Sequence, residues 1–162
     1  MIKQLWAPWR MEFLKGEKPE NCVFCTAIAQ DRDRANLILH RDDKAFVILN
    51  KYPYNNGHLL ILPKRHVDDT SQLTKPERED LMDLLELSKK LLDKAIKPHG
   101  YNVGMNLGRA AGAGFPGHLH IHLVPRWKGD ANFMPVITDT RVISQSLKAL
   151  HQKISYVYKR RV

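Results

Sequence analysis

The sequence contains few cysteines and no long apolar run, which limits the classes of protein it can belong to. Only two of its 162 residues are cysteine, both in the tetrad Cys22-Val23-Phe24-Cys25. No apolar run approaches the roughly 20 residues that a transmembrane helix requires. The opening MIKQLWAPWR lacks the basic-then-apolar order of a signal peptide. We therefore expect a cytoplasmic protein with no membrane span and no disulfide.

The chain also lacks internal repeats and linker-like segments, so its length fits one domain of ordinary size. Apolar residues make up 43% and charged residues 27%, which is typical of a soluble globular protein. The net charge of +9 favours polyanionic partners such as nucleic acid, anionic membranes or phosphorylated small molecules. The two basic clusters, at 63–66 and 158–161, do not alternate with aromatic residues as a nucleic-acid groove would. A nucleic-acid partner is therefore not expected.

Alternating apolar patterns predict a meander of strands, and one long periodic segment predicts a helix. Thr74 followed by Glu77 has the form of a capping box, and apolar residues then recur at three- and four-residue steps as far as Ala95. Pro98 and Gly100 end this helix. We expect a short helix at 22–30, an amphipathic stretch near 139–151, and strands at 36–41, 44–50, 58–63, 101–108 and through the segment GHLHIHLVPRW. Strands with one long helix predict an α+β domain with a mostly antiparallel sheet.

Three histidines alternate with apolar residues in the segment 117–127. In a strand, His118, His120 and His122 would share one face about 6.5–7 Å apart, with Leu119 and Ile121 behind them in the core. Three interpretations are possible: imidazoles that only make hydrogen bonds, a three-histidine metal site, and a histidine nucleophile supported by the other two histidines. The first is disfavoured because burial of three imidazoles is costly without a function.

Two further motifs bear on this choice. Five glycines precede the histidines within 104–117, and they form either an anion cradle of backbone N–H groups or a flexible hairpin turn. A cradle beside imidazoles in a basic protein favours phosphoryl chemistry, although no Walker or dinucleotide fingerprint is present. The Cys22–Cys25 tetrad is compatible with a redox pair, half of a metal site or two packed thiols. A metal site would need two more ligands, for which the histidines are the obvious source.

The segment from His118 to Val124 matches the His-φ-His-φ-His-φ-φ signature, with φ apolar, and so resembles the histidine triad (HIT) superfamily. Upstream, AFVILNKYPYNNGHLLILPKRHV at 45–67 resembles the second characteristic block of that family. The resemblance spans roughly 22–127 and implies a HIT-like fold, with about five strands, one long helix and one short helix. The flanking APWRM, NKYPYNNGH and PRWKGDANF resemble the branch of bacterial diadenosine tetraphosphate phosphorylases.

The resemblance implies a role for each matching residue. The triad of His118, His120 and His122 would form the catalytic set, with His120 as the nucleophile that forms a nucleotidyl-histidine intermediate. His122 would contact the phosphate or the leaving group. The residues expected to bind or support the nucleotide are Asn50 at the ribose, His58 beside the cluster, Asn106 near the phosphates, and Arg109, Gly114 and Gly117 in the glycine loop.

Zinc-containing relatives use two cysteines, the histidine of the PxxH element and the first triad histidine. The matching positions are Cys22, Cys25, His66 and His118, and such a closed Cys₂His₂ set would be structural. One departure concerns the loop before the triad. Many family members carry Gln-Ser or Gln-Thr there, whereas this chain has GFPG at 114–117. Phosphate binding would then depend more on backbone N–H groups, with Arg109 as a helper.

The resemblance implies phosphorolysis of diadenosine tetraphosphate, in which inorganic phosphate accepts the nucleotidyl group. The alternative with the same nucleophile is hydrolysis of dinucleoside polyphosphates or nucleoside phosphoramidates, and a binding module without turnover is a third hypothesis. We expect a purine nucleotide substrate, structural Zn²⁺, no organic cofactor and a homodimer. The expected organisation is an N-terminal arm at 1–21, a HIT domain at 22–135 and a C-terminal extension at 136–162.

Overall fold

The centre of the molecule is a five-stranded antiparallel sheet with the strand order β1-β2-β3-β5-β4. The computed structural model describes residues 21–112, 115, 117–130 and 145–160. The strands are β1 (Ile38–Arg41), β2 (Ala45–Leu49), β3 (Leu59–Pro63), β4 (Gly100–Met105) and β5 (Ile121–Arg126). The predicted α+β class and antiparallel sheet are confirmed, and the predicted strand positions agree to within a few residues.

The two faces of the sheet carry separate apolar clusters because alternate residues of a strand point in opposite directions. On one face, Leu59 and Ile61 of β3 join the larger core beneath the helices. On the other face, Leu60 and Leu62 join a smaller cluster that contains Phe24. His122 lies opposite Leu60 in the register of β3 and β5. The histidine segment therefore occupies a central position in the sheet.

The long helix, α2 (Lys75–Ile96), begins with the predicted capping box. The Thr74 hydroxyl accepts from the backbone N–H of Glu77, and the Glu77 carboxylate accepts from the backbone N–H of Thr74. Arg65 also donates to this carboxylate, with Nε at 2.9 Å and Nη2 at 2.8 Å. The helix ends at Ile96, and the left-handed backbone of Lys97 (φ 48°) then turns the chain just before the predicted stop at Pro98.

Two shorter helices complete the described structure. The predicted short helix is present as α1 (Val23–Ala29), and α3 (Leu147–Lys159) extends further along the chain than the expected amphipathic stretch near 139–151. The helix α3 is fastened by a 2.7 Å hydrogen bond between Tyr158 and Ser88 and by His151, which donates to the carbonyl of Ile38. No helix within the described ranges is both long and apolar enough to cross a membrane. The expected N-terminal arm lies outside those ranges except for residue 21.

Candidate active site

The three histidines occupy the start of β5 and the residues just before it. The assigned strand begins at Ile121, later than predicted, so His118 and His120 precede it. The apolar residues between them nevertheless alternate as expected, with Leu119 and Ile121 in the larger core. The backbone N–H of Leu119 donates to the carbonyl of Val67 and ties this segment to the chain that follows β3. The imidazoles of His118 and His120 are buried beside the smaller cluster.

At one end of the triad, four potential metal ligands converge. Their ligand atoms, from Cys22, Cys25, His66 and His118, all lie within 4.8 Å of one another. The Sγ atom of Cys22 is 3.3 Å from Nδ1 of His118, and Sγ of Cys25 is 3.3 Å from Nδ1 of His66. Sulfur and nitrogen ligands of a tetrahedral zinc ion are about 3.5 Å apart, given ordinary zinc–ligand distances. The distances fit a Cys₂His₂ zinc site.

The tautomer of His118 also fits a metal ligand. Its Nε2 lies 2.9 Å from the carbonyl oxygen of Pro63, which can only accept a hydrogen bond. Nε2 of the neutral ring therefore carries the proton, and Nδ1 presents a lone pair to the two thiols. A backbone acceptor behind a ligating imidazole is a common arrangement in metal sites.

His120, the central histidine, has the opposite tautomer. Its Nδ1 lies 2.8 Å from the backbone carbonyl of His118, so Nδ1 carries the proton and Nε2 has a free lone pair. The ring of Phe24 packs against it, with the centroids 5.7 Å apart. A neutral imidazole with one bare nitrogen, held by a backbone carbonyl, is the form that a histidine nucleophile requires.

At the other end of the triad, His122 is linked to His58. The backbone N–H of Tyr54 donates to Nδ1 of His58 at 3.0 Å, and the side-chain amide of Asn50 is 3.2 Å from the same atom. The proton of a neutral His58 must then be on Nε2, which lies 2.9 Å from Nδ1 of His122. His122 is thereby fixed as the Nε2–H tautomer. This buried Nε2 has no hydrogen-bond partner among the residues that the structure describes.

Burial keeps these imidazoles uncharged. It is the main cause that lowers the pKa of His58 to about 3, and the neighbouring His122 and His120 add to the effect. Burial, followed by the influence of His120, lowers the pKa of His122 to about 4. Burial also lowers the pKa of His120, although its hydrogen bond to the His118 carbonyl opposes this shift. Neutral tautomers are thus the stable forms near neutral pH.

Two aromatic residues at the site were not predicted from the sequence. Phe24 contacts the rings of His118, His120 and Phe115, with centroid distances of 5.6 to 5.7 Å. Tyr54 stacks on His58 with centroids 4.9 Å apart. Each had a signal in the sequence: Phe24 lies between the two cysteines, and Tyr54 lies four residues before His58.

The remaining predicted site residues are distributed around this cluster. Asn50 contacts His58, and its Oδ1 accepts from the backbone N–H of Tyr52. Asn106 lines a cleft together with His122. Gly117 lies nearer the metal end, where a Cβ atom would be 3.9 Å from the His66 ring. The backbone of Arg109 begins a 3₁₀ turn, whereas its side chain and all of Gly114 lie outside the described structure.

Comparison with known proteins shows relatives along most of the chain. It is 38% identical over 155 residues to the AP-4-A phosphorylase of Mycobacterium tuberculosis, covering 91% of this chain and 80% of that protein. It is 32% identical over 135 residues to the adenosine 5'-monophosphoramidase hnt1 of Schizosaccharomyces pombe, covering 83% of this chain and 96% of that protein. Both relatives are named as enzymes, as predicted for this chain.

Solved structures agree with this relationship. A hypothetical histidine triad nucleotide-binding protein from Sulfolobus tokodaii superimposes with a TM-score of 0.69 at 28% identity, over 86% of this chain and 93% of that one. The family described as HIT domain matches residues 32–129. This range includes the triad, His58 and His66, but neither cysteine. The chain belongs to the HIT domain family and is an enzyme of the histidine triad type.

Proposed function

We propose that the chain transfers a nucleotidyl group from a dinucleoside polyphosphate, with diadenosine tetraphosphate as the preferred substrate, to inorganic phosphate. The observation that carries the proposal is the pairing of two neighbouring imidazoles in complementary forms. Nε2 of His120 has a bare lone pair, and Nε2 of His122 carries a proton without a partner among the described residues. The two ring centroids are 4.8 Å apart. A nucleophile and a donor are thus adjacent.

In the first step, Nε2 of His120 attacks the α-phosphorus, and the bond from phosphorus to the bridging oxygen breaks. ATP departs with the bonding electron pair, and the Nε2–H of His122 donates to the departing oxygen. In the second step, an oxygen of inorganic phosphate attacks the same phosphorus and breaks the P–N bond, which yields ADP and restores His120. The His118 carbonyl holds the proton on Nδ1 of His120 as positive charge develops on the ring.

The preference for a dinucleoside polyphosphate rests on similarity to the mycobacterial phosphorylase. The similarity to a phosphoramidase supports a second candidate, in which water replaces phosphate in the second step. A donor histidine at the third triad position is compatible with both acceptors. Asn50 is proposed to contact the ribose while it holds His58, and Asn106, Arg109, Gly114 and Gly117 are proposed to surround the phosphates.

Product analysis separates the two candidates. The protein is incubated with diadenosine tetraphosphate, with and without phosphate, and the nucleotides are separated by chromatography. ADP and ATP that form only with phosphate support phosphorolysis, whereas AMP and ATP in both cases support hydrolysis. The variant His120→Asn should lose turnover by a factor of about 10³ or more because no nucleophile remains. The exposed His99, whose Nδ1 accepts from the backbone N–H of Lys128 beyond the end of β5, serves as the control in His99→Asn.

We also propose that Cys22, Cys25, His66 and His118 hold a structural Zn²⁺. When bound, the ion would supply a closed four-ligand crosslink with no open position for water. Its ligands come from Cys22 just before α1, from Cys25 in α1, from the segment after β3 and from the triad, so the site would fasten the segment that carries His120. One equivalent of zinc in protein purified without chelator, measured by atomic emission, supports this assignment. Its absence, with free thiols intact, would argue against it.

We propose that two copies of the chain form a homodimer through the edge strand β4 of the sheet. Within the described residues β4 pairs only with β5, and Val103 on this strand is 51% exposed. An unpaired edge with exposed apolar side chains is suited to pair with a second copy. Light scattering should give twice the mass of one chain. The variant Val103→Lys should shift the measured mass toward that of a single chain. The cytoplasmic location stays a prediction for cell fractionation to test.

A further inference from the structure

A cleft of about 400 Å³ opens beside His122, at the end of the triad away from the cysteines. This volume lies in the range of small-molecule sites, which starts at about 300 Å³. Its lining includes Tyr54, Asn102, Gly104, Asn106, Gly112 and His122. The steps proposed for His120 and His122 assign no position to the nucleoside of the departing nucleotide.

Tyr54 provides an aromatic surface at the cleft. Its ring stacks on His58 with centroids 4.9 Å apart and lies 5.7 Å from the ring of His122, while 43% of the residue remains exposed. The backbone N–H of the same residue is fixed to Nδ1 of His58. The ring is therefore held in place at the rim of the site, and rigid aromatic side chains lose little entropy on stacking with a ligand.

The described residues that line the cleft carry no formal charge, and they leave room for a ligand on the side of β4. These described residues include no Asp, Glu, Lys or Arg, and their aromatic and amide groups suit a nucleoside. Gly104 pairs with His122 across β4 and β5, and a Cβ atom there would meet no atom of the described residues within 4 Å. Asn102, whose Oδ1 accepts from Arg126, keeps its side-chain amide N–H groups as donors to the edge of a base or a ribose.

From this geometry we infer that the cleft receives the nucleoside of the departing nucleotide, with its base stacked on Tyr54. The inference rests on the proposed function. In phosphoryl transfer the attacking and departing atoms lie roughly in line with phosphorus. The departing oxygen is then close to the donor on His122, and the departing ATP, with its triphosphate first and its nucleoside last, continues into the cleft that begins at this residue. Tyr54 thus determines preference for a leaving group that contains a base.

The test compares two substrates with the same scissile bond. Diadenosine tetraphosphate releases ATP, whereas adenosine 5'-tetraphosphate releases tripolyphosphate, which has no base. Tyr54→Ala should lower kcat/KM for the first substrate roughly tenfold, the loss expected for one base–aromatic stack, and change the second less than twofold. Tyr54→Phe should retain the wild-type preference because it keeps the ring. Tyr156→Ala, which removes an exposed tyrosine on α3, serves as the control.

Equal losses on both substrates would overturn the inference, because Tyr54 would then act only through His58. A second measurement remains informative if the proposed reaction itself fails. Calorimetry gives the affinity of wild type and Tyr54→Ala for a methylene-bridged analogue of diadenosine tetraphosphate and for AMP. A roughly tenfold loss for the analogue alone supports the subsite whether or not turnover occurs. Unchanged affinity for the analogue rejects the subsite.

Gly104→Val tests the same cleft by filling it. Valine suits a strand, and a Cβ atom at Gly104 would meet no atom of the described residues within 4 Å. We expect weaker binding of the bridged analogue, by about tenfold, with little change in AMP affinity or in the unfolding temperature. An unchanged affinity for the analogue in this variant would contradict the placement of the second nucleoside.

Discussion

The two flanks of His120 each contain one histidine, His118 buried and His122 partly buried, and they differ in what holds that ring. On the cysteine flank, the Nε2–H of His118 donates to the Pro63 carbonyl, and Nδ1 faces two thiols. On the other flank, Nδ1 of His122 accepts from His58, and its Nε2–H has no partner among the described residues. Both rings carry the proton on Nε2, yet we propose a structural role for His118 and a chemical role for His122. The difference comes from the partners and not from the spacing of the triad.

Removal of the donor on the second flank should have the largest kinetic effect. His122→Ala leaves the departing oxygen without a hydrogen-bond donor, and the loss of one such donor lowers kcat by about 10²–10³. His122→Gln keeps an amide N–H and should lose less. Steady-state kinetics with diadenosine tetraphosphate measure both, and the unfolding temperature should change little. A wild-type kcat for His122→Ala would show that the leaving group needs no help from this residue.

Disruption of the first flank should primarily reduce stability. Cys22→Ser combined with Cys25→Ser removes two of the four proposed metal ligands, so the free energy of metal binding no longer stabilises the fold. We expect a loss on the order of 3 kcal/mol, or about 10 °C in the thermal midpoint for a chain of this size. Zinc content and calorimetric unfolding are the measurements. An unaltered midpoint with the zinc lost would mean that the site does not support the fold.

Removal of the hydrogen bond from His58 to His122 should have a smaller kinetic effect than removal of His122 itself. His58→Phe removes the donor that fixes the His122 tautomer while keeping a ring of similar shape against Tyr54. A neutral hydrogen bond contributes about 1 kcal/mol, so kcat should fall roughly fivefold. The ring ¹⁵N spectrum of His122 should then show a mixture of tautomers. A single Nε2–H form in this variant would mean that His58 is not what selects it.

The pH dependence of the second flank should be small across the neutral range. Because the pKa of His122 is lowered to about 4 and that of His58 to about 3, both rings should stay neutral from pH 8 to pH 5. An unfolded histidine binds a proton below about pH 6.5, so these two groups make the fold less stable as the pH falls from 6.5 toward 4. Ring ¹⁵N shifts through this range check the assignment, and protonation of His122 near pH 6.5 would contradict it.

Local sequence signals predicted the fold more fully than the site. The capping box of Thr74 and Glu77 predicted the start of α2 because both partners lie within four residues. The tautomers could not be predicted, since they depend on distant backbone groups such as the Pro63 carbonyl, 55 residues from His118. The predicted histidine strand was too long because the extent of a strand also depends on a distant partner. The pairing of β3 with β5 begins only at Ile121. The resemblance named His58, and the structure added its contact with His122.

The most direct test is to identify the histidine that carries the nucleotidyl group. Protein is mixed with diadenosine tetraphosphate without phosphate, quenched within milliseconds under alkaline conditions that preserve P–N bonds, digested and sequenced by mass spectrometry. We expect one adenylyl group on His120, which disappears when phosphate is added before the quench and never forms in His120→Asn. An adenylyl group on His122 or His118, or turnover that persists in His120→Asn, would contradict the assignment of the two flanks.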